Sequence, residues 1–257
     1  MSVTYVISGF AVGLLVGMTG VGGGSLMTPL LTLLFGVSPS VAVGTDLAFA
    51  SLTKTAGTIT HRVNGTVQWH IVRRLSLGAL PAALVAALAL RHFGALDEHI
   101  GQVIRYSIAA SVLLTVVALV FRRHMLEWIH ASPGRQLQGR ALTIATVAAG
   151  ALLGTLVTVS SIGAGAIGAT LLVMLYPRLT PAEVAGTDIA YAVPLTAIAA
   201  FAHWWLGSID WTLLLTLLVG SVPGIVLGSW AARAVPERFL RGLLATTLTG
   251  IAAKLIY

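Results

Sequence analysis

Apolar runs of about 20 residues recur along this chain with almost no charge inside them, and this limits its fold more than any other feature. At about 1.5 Å per residue such a run crosses a hydrocarbon core of about 30 Å as a helix. Only helices and closed barrels satisfy their backbones there. Of 257 residues, 57% are hydrophobic and 9% charged, against roughly a quarter charged in a soluble domain. The sequence therefore predicts an all-α polytopic membrane protein. Apolar segments fall at 3–19, 24–36, 39–61, 70–90, 100–121, 141–159, 166–176, 181–206, 211–232 and 238–256. Segments 24–36 and 166–176 are short for a crossing, so each is expected to pair with its predecessor as a broken or re-entrant hairpin. Eight full crossings or ten thin ones both fit. The first run starts at Val3 with no Lys or Arg before it, unlike a cleavable signal, and is expected to be retained.

Sliding the chain over itself by 142 residues brings Pro39, Gly44, Thr45, Asp46, His61, Gly65, Trp69 and Pro81 onto Pro181, Gly186, Thr187, Asp188, His203, Gly207, Trp211 and Pro223. So many infrequent residues in one register mark an internal repeat. Residues 1–121 form a first transmembrane repeat, 122–140 a basic linker and 141–257 a second transmembrane repeat. The net charge of +7 is no nucleic-acid signature, because the basic residues cluster between apolar runs, where they act as topology signals. With ten segments, one set of loops holds eleven arginines between Arg62 and Arg241, whereas the opposite set holds Arg91 with Asp97, Glu98 and Asp210. The loop after His61 is then cytoplasmic, and its repeat partner after His203 is not. Equivalent loops on opposite sides mean two inverted-topology helical repeats, with the linker inside and both termini outside. Transporters of this architecture bind their substrate where the halves meet.

Two glycine-rich breaks occupy equivalent places, Thr19-Gly20-Val21-Gly22-Gly23-Gly24-Ser25 and Ser160-Ser161-Ile162-Gly163-Ala164-Gly165-Ala166. Glycine runs at membrane depth make sense where backbone lines a cavity or where helices pack closely, and a helix restarting after the break aims its amides at an anion. Candidate substrate contacts are Gly22, Gly23, Gly24, Ser25 and Thr28 in the first break, and Ser160, Ser161, Gly163 and Gly165 in the second. Thr45 and Thr187 are further candidate donors, or helix-packing hydroxyls. Asp46 and Asp188 lie about 10 Å into helices that open at Pro39 and Pro181, where a charge is costly and commonly serves transport. They serve either proton coupling or as structural acceptors. Lys54 either attracts an anion or snorkels to the basic face. His61 and His203, with turn glycines and Trp69 and Trp211 after them, read as segment boundaries, on opposite faces. With no cysteine, thiolate metal sites and cysteine nucleophiles are excluded, and neither a metal nor a cofactor is implied.

Thr19-Gly20-Val21-Gly22-Gly23-Gly24 ahead of Pro29, Val43-Gly44-Thr45-Asp46-Leu47, the His61, Gly65, Trp69 series and Gly78-Ala79-Leu80-Pro81 resemble the sulfite exporter family, the TauE/SafE-like anion permeases. The resemblance covers nearly the whole chain. It implies a bacterial inner-membrane permease, not an enzyme, for a small sulfur-containing anion such as sulfite or an organosulfonate. Its partners would be that anion and the bilayer, with no nucleic acid. The second break departs from the family's fuller glycine run. Two rival readings come from the residues themselves. One is an intramembrane aspartyl hydrolase with Asp46 and Asp188 as a dyad sharing a proton, and the other a non-transporting membrane scaffold or sensor.

Overall fold

The computed structural model describes residues 3–19, 24–94, 98–131, 137–231, 242, 246, 248–250 and 254. Among them are nine helices and no strand: α1 (Val3–Thr19), α2 (Gly24–Leu34), α3 (Pro39–Val63), α4 (Trp69–Phe93), α5 (Glu98–Ala131), α6 (Gly139–Ser160), α7 (Ala166–Leu175), α8 (Pro181–Trp205) and α9 (Trp211–Ala231). Local chemistry sets the boundaries. Pro39 and Pro181 open α3 and α8, where a missing N–H costs nothing. Thr180 and Glu183 close a capping box at the start of α8, each side chain bonded to the other's backbone amide. At the far ends Gly65 (φ 68°) and Gly207 (φ 71°) turn the chain left-handed. The amides of Thr66 and Ser208 then return to the carbonyls of His61 and His203 at 3.0 and 2.8 Å.

Five of the described helices are long and apolar enough to cross a membrane: α4, α5, α6, α8 and α9. Helix α3 matches α8 at 25 residues, but Asp46, Lys54, His61 and Arg62 lower its hydropathy. Helices α2 and α7, at 11 and 10 residues, reach about half the depth of a bilayer. Outward side chains such as Leu84, Val85, Phe201, Trp204, Leu215 and Val226 are more than half exposed. An apolar mantle of this extent needs lipid around it.

The bundle is built on three close crossings. In two of them glycine lets backbone touch backbone. A side chain at Gly78 would strike the Val147 carbonyl and the Ala151 amide, and one at Gly150 or Gly154 would strike the Leu75 or Ala79 carbonyl. Helices α4 and α6 therefore run parallel in near contact. Helices α1 and α9 repeat the arrangement, with Gly220 and Gly224 against Val6 and Phe10, and Gly9 and Gly13 against Leu217 and Ser221. Small residues four apart are the general device for such approach in membranes. The third crossing is central and antiparallel, with Gly44 of α3 against His203 and Ser208, and Gly186 of α8 against His61 and Thr66.

Helix α5 departs from expectation. It continues to Ala131, about ten residues past the end that hydropathy indicated, because Arg122–Ala131 holds no glycine or proline to stop it. Loss of hydropathy marks where lipid contact ends, not where the helix does. The segment expected at 238–256 lies largely outside the described residues, of which 242, 246, 248–250 and 254 are helical.

Gly78→Ala is expected to lower stability by about 1–3 kcal/mol, since rigid backbone opposes the new methyl group. Gly101→Ala, with nothing within 4 Å, should be neutral. Thermal unfolding in detergent compares the two variants.

Candidate functional site

The central crossing of α3 and α8 is held by reciprocal bonds. The Asp210 amide donates to Thr45 Oγ1 at 3.1 Å, and the Gln68 amide donates to Thr187 Oγ1 at 3.0 Å. Residues 45 and 187, and residues 68 and 210, are related by the same offset of 142. Each threonine ties the middle helix of one half to the start of the helix that follows its counterpart in the other. Both are fully buried, and their oxygens serve these latches.

The second break crosses α3 between the latches. Ser161 ends α6 in a left-handed conformation (φ 59°), and Gly163 and Gly165 continue at φ 144° and 131°. Part of the break satisfies itself: the amides of Gly168 and Ala169 return to the carbonyls of Gly163 and Gly165. The Gly168 bond removes one of the four amides that the start of α7 leaves free for an anion. Ser160 Oγ donates to the Leu156 carbonyl at 2.7 Å and also meets Ser111 Oγ at 3.1 Å. Ser161 is different: its buried hydroxyl faces the Asp46 carboxylate.

Lys54 is the main correction to the sequence reading. It does not snorkel but is 8% exposed, with Nζ donating to the Ala164 carbonyl of the second break at 3.2 Å. The charges nearest it are Asp188 and Asp46, and among the described residues neither comes within ion-pair distance. Its repeat counterpart, Thr196, bonds only within its own helix. An ammonium offers three N–H donors, so two of Lys54's are left over in the buried centre of the bundle.

The two aspartates lie at opposite ends of the crossing, Asp46 next to the Thr45 latch and Asp188 next to the Thr187 latch. They do not pair with each other. Their surroundings also differ. Asp46 Oδ2 accepts from Thr28 Oγ1 at 2.5 Å. In the second half the matching hydroxyl, on Thr170, turns to the Ala166 carbonyl instead. Asp188 has no hydrogen bond to any described residue, and its Oδ1 is enclosed against Gly168, where a side chain would overlap it. The Tyr191 hydroxyl, also buried and unbonded, faces the same spot 3.1 Å from where a Cβ on Gly168 would stand. Gly168 and Tyr191 were not among the expected site residues. Their signal was mismatch across the repeat, since Leu26 and Phe49 occupy the corresponding positions.

Beside the Thr187 latch a cavity of about 510 Å³ opens between the starts of α4, α6 and α8, lined by Gln68, Gln138, Tyr176, Arg178 and Glu183 among others. Gln68 closes its floor, with Nε2 donating to Glu183 Oε1 at 2.6 Å while its amide holds Thr187. Of the other expected contacts, Gly22 and Gly23 lie outside the described residues, and Gly24 and Ser25 open α2. His61 Nδ1 meets Thr66 Oγ1 at 2.8 Å, whereas His203 is fully buried against the Thr158 carbonyl at 3.0 Å. Among the described residues no group of acids and histidines is arranged to hold a metal.

Thr28→Val would remove the Thr28 hydroxyl from a fully buried Asp46. The expected loss is about 1–3 kcal/mol in detergent unfolding. Thr28→Ser, which keeps the donor, should recover most of it.

Comparison with known proteins places the chain in a family. The family model for the sulfite exporter TauE/SafE matches residues 5–255. The probable membrane transporter protein YjnA of Bacillus subtilis (strain 168) is 33% identical over 256 residues, covering 100% of both chains. YdhB of the same organism, also a probable membrane transporter protein, is 26% identical over 241 residues, 93% of each chain. A probable membrane transporter protein of Xylella fastidiosa (strain 9a5c) is 27% identical over 229 residues, 88% of this chain and 82% of its own. No solved structure matches. With a multi-pass helical bundle and a family match over nearly its whole length, the chain belongs to the TauE/SafE sulfite exporter family of membrane transporters.

Proposed function

We propose that the protein exports a small sulfur-containing anion, sulfite or an organosulfonate, by alternating access to a site between the two glycine-rich breaks. The observation that carries this reading is Lys54, a buried ammonium with one hydrogen bond and no ion pair among the described residues. Burying such a charge costs several kcal/mol unless a partner offsets it, and an anion between the halves would do so. Gly163 and Gly165 of the second break let backbone approach. Gly22, Gly23, Gly24 and Ser25 complete the site from the first break, with Ser160, Thr28, Thr45 and Thr187 holding its walls. Asp46 and Asp188 act as structural or proton-coupling carboxylates. For an anion moving without a coupled ion, the inside-negative potential favours exit by about 2.3 kcal/mol per charge at 100 mV.

In this reading the halves are inverted repeats in a bacterial inner membrane, with both termini outside. The reciprocal latches and the two parallel glycine crossings support the inversion. Helices α1 and α9 share a direction, as do α4 and α6, while α3 and α8 oppose each other. Arg91, the lone arginine of the outer loops, lies 3.7 Å over the Trp205 ring, a pairing suited to the membrane interface. A hydrolytic dyad finds no support, because the two carboxylates sit at opposite ends of the crossing.

Binding and proteoliposome flux with sulfite, sulfate, sulfoacetate, thiosulfate and taurine test the reading. At least one anion should bind, and Lys54→Gln should weaken it more than tenfold. A panel that neither binds nor moves would favour the scaffold or sensor reading. Topology has its own test, since the chain has no native cysteine. A thiol probe that cannot cross the membrane should reach Asp210→Cys from outside intact cells and Arg178→Cys only after permeabilisation.

A further inference from the structure

Asp188 is a buried carboxylate without a hydrogen-bond donor among the described residues. Asp46, its counterpart, has Thr28, and the hydroxyl that would have served Asp188, on Thr170, bonds its own helix. The asymmetry extends to the other groups between the halves. Lys54 of the first half is met by Thr196 of the second, and Tyr191 of the second by Phe49 of the first. One half thus supplies a cation with spare donors and the other an acid with spare acceptors.

We propose that Asp188 is the coupling acid of the transport cycle: it takes up a proton when the substrate anion settles on Lys54, so that proton and anion bind together. The inference rests on the proposed anion transport and assigns its coupling: with one proton carried, a dianion keeps a single charge for the potential to drive outward, and a monoanion moves without net charge down its own gradient. With Asp46 and Asp188 ionised and Lys54 charged, the centre carries a net charge of −1, and an added monoanion makes it −2. No other cation among the described residues is near enough to Lys54 to compensate. Transfer of a proton from water to Asp188, giving the neutral acid, restores −1 and removes the nearer of the two charges repelling the anion. Asp46 is less suited to change state, because ionised it already accepts the Thr28 hydroxyl.

A proton suits the geometry better than a metal cation. Asp188 Oδ1 is sealed against the bare backbone of Gly168, with the Tyr191 hydroxyl the polar atom beside it, and the Lys54 ammonium repels a second cation. Sodium would need several more oxygen ligands in that space. A route for the proton is also at hand. Asp188 follows Thr187, whose latch to Gln68 forms the floor of the cavity of about 510 Å³. Gln68, bonded to Thr187 and Glu183, is the lining residue of that cavity that ties it to the helix turn carrying the carboxylate. The titratable and charged groups facing Asp188 are Lys54 and, beyond it, Asp46 on α3, Tyr191 on its own helix, and His61, which packs against Gly186 and is bonded to Thr66. Gly168 brings none from α7.

The experiment measures binding of thiosulfate and isethionate to purified protein between about pH 5.5 and 8.5, where both anions keep a constant charge, and counts protons taken up per anion with a pH dye. One linked proton gives an affinity that rises by up to about tenfold per unit fall in pH, with close to one proton taken up per anion and no sodium requirement. Asp188→Asn should bind with little dependence on pH and take up no proton. Asp46→Asn and His61→Gln should keep the slope, whatever happens to affinity. Gly168→Ala, which pushes on the carboxylate without removing it, should displace the midpoint of the slope. Binding that is flat with pH in wild type, or a slope that survives Asp188→Asn, would overturn the inference while leaving anion transport standing. A slope replaced by sodium dependence would overturn it as well. Failure of every anion to bind at any pH would remove the transport reading itself. Should Asp188→Asn not fold, a wild-type proton count of zero, or loss of the count in Asp46→Asn or His61→Gln, overturns the inference, and a count kept in both variants supports it.

Discussion

Taking an ammonium and two carboxylates out of water costs several kcal/mol each unless opposite charges or hydrogen bonds meet them. The arrangement of Lys54, Asp46 and Asp188 answers that constraint only in part. Asp46 has Thr28, Lys54 has one carbonyl, and Asp188 has no donor among the described residues. A purely structural core would have closed these gaps or replaced the charges with apolar packing. The surrounding fold keeps them open. Glycine crossings lock α1 to α9 and α4 to α6 through backbone contact, and the threonine latches fix α3 on α8 from both ends. That rigid frame is what allows strained electrostatics to persist in its centre.

In the proposed transport cycle the latches are the contacts that alternating access has to break. Each is one hydrogen bond between a buried threonine and the amide that opens the next helix of the opposite half. Such a bond contributes about 0.5–1.5 kcal/mol net, small enough to exchange during a cycle. On one side Gln68 adds a second bond to Glu183, beneath the large cavity. On the other, the Asp210 side chain accepts instead from the Leu213 amide of its own helix. Two halves with matching backbones but unequal latches will not open with equal ease.

Much of the frame was legible in the sequence. Hydropathy and breakers marked the described helices, and the register of 142 brought together residues that make equivalent contacts, such as Gly44 with Gly186 and Thr45 with Thr187. Less visible was anything decided by the path of a side chain. Lys54 looked like a snorkelling lysine because its distance from the helix end suited one, yet the neighbouring break offers it a carbonyl closer than water. Ser160 and Ser161 are adjacent in sequence, but one is turned onto its own helix and the other faces the Asp46 carboxylate. Gly168 and Tyr191 stand in no motif. Comparing the two halves for polar mismatches, rather than for identities, would have found both.

The central claim is that the Lys54 ammonium is the anion's seat between the halves. The most direct measurement is a structure with selenite, a sulfite analogue located by anomalous scattering from selenium. The account predicts a selenium peak between α3 and the second break, with a selenite oxygen about 3 Å from Lys54 Nζ. A peak confined to the arginine-rich loops, with Lys54 still bonded only to Ala164, would contradict it.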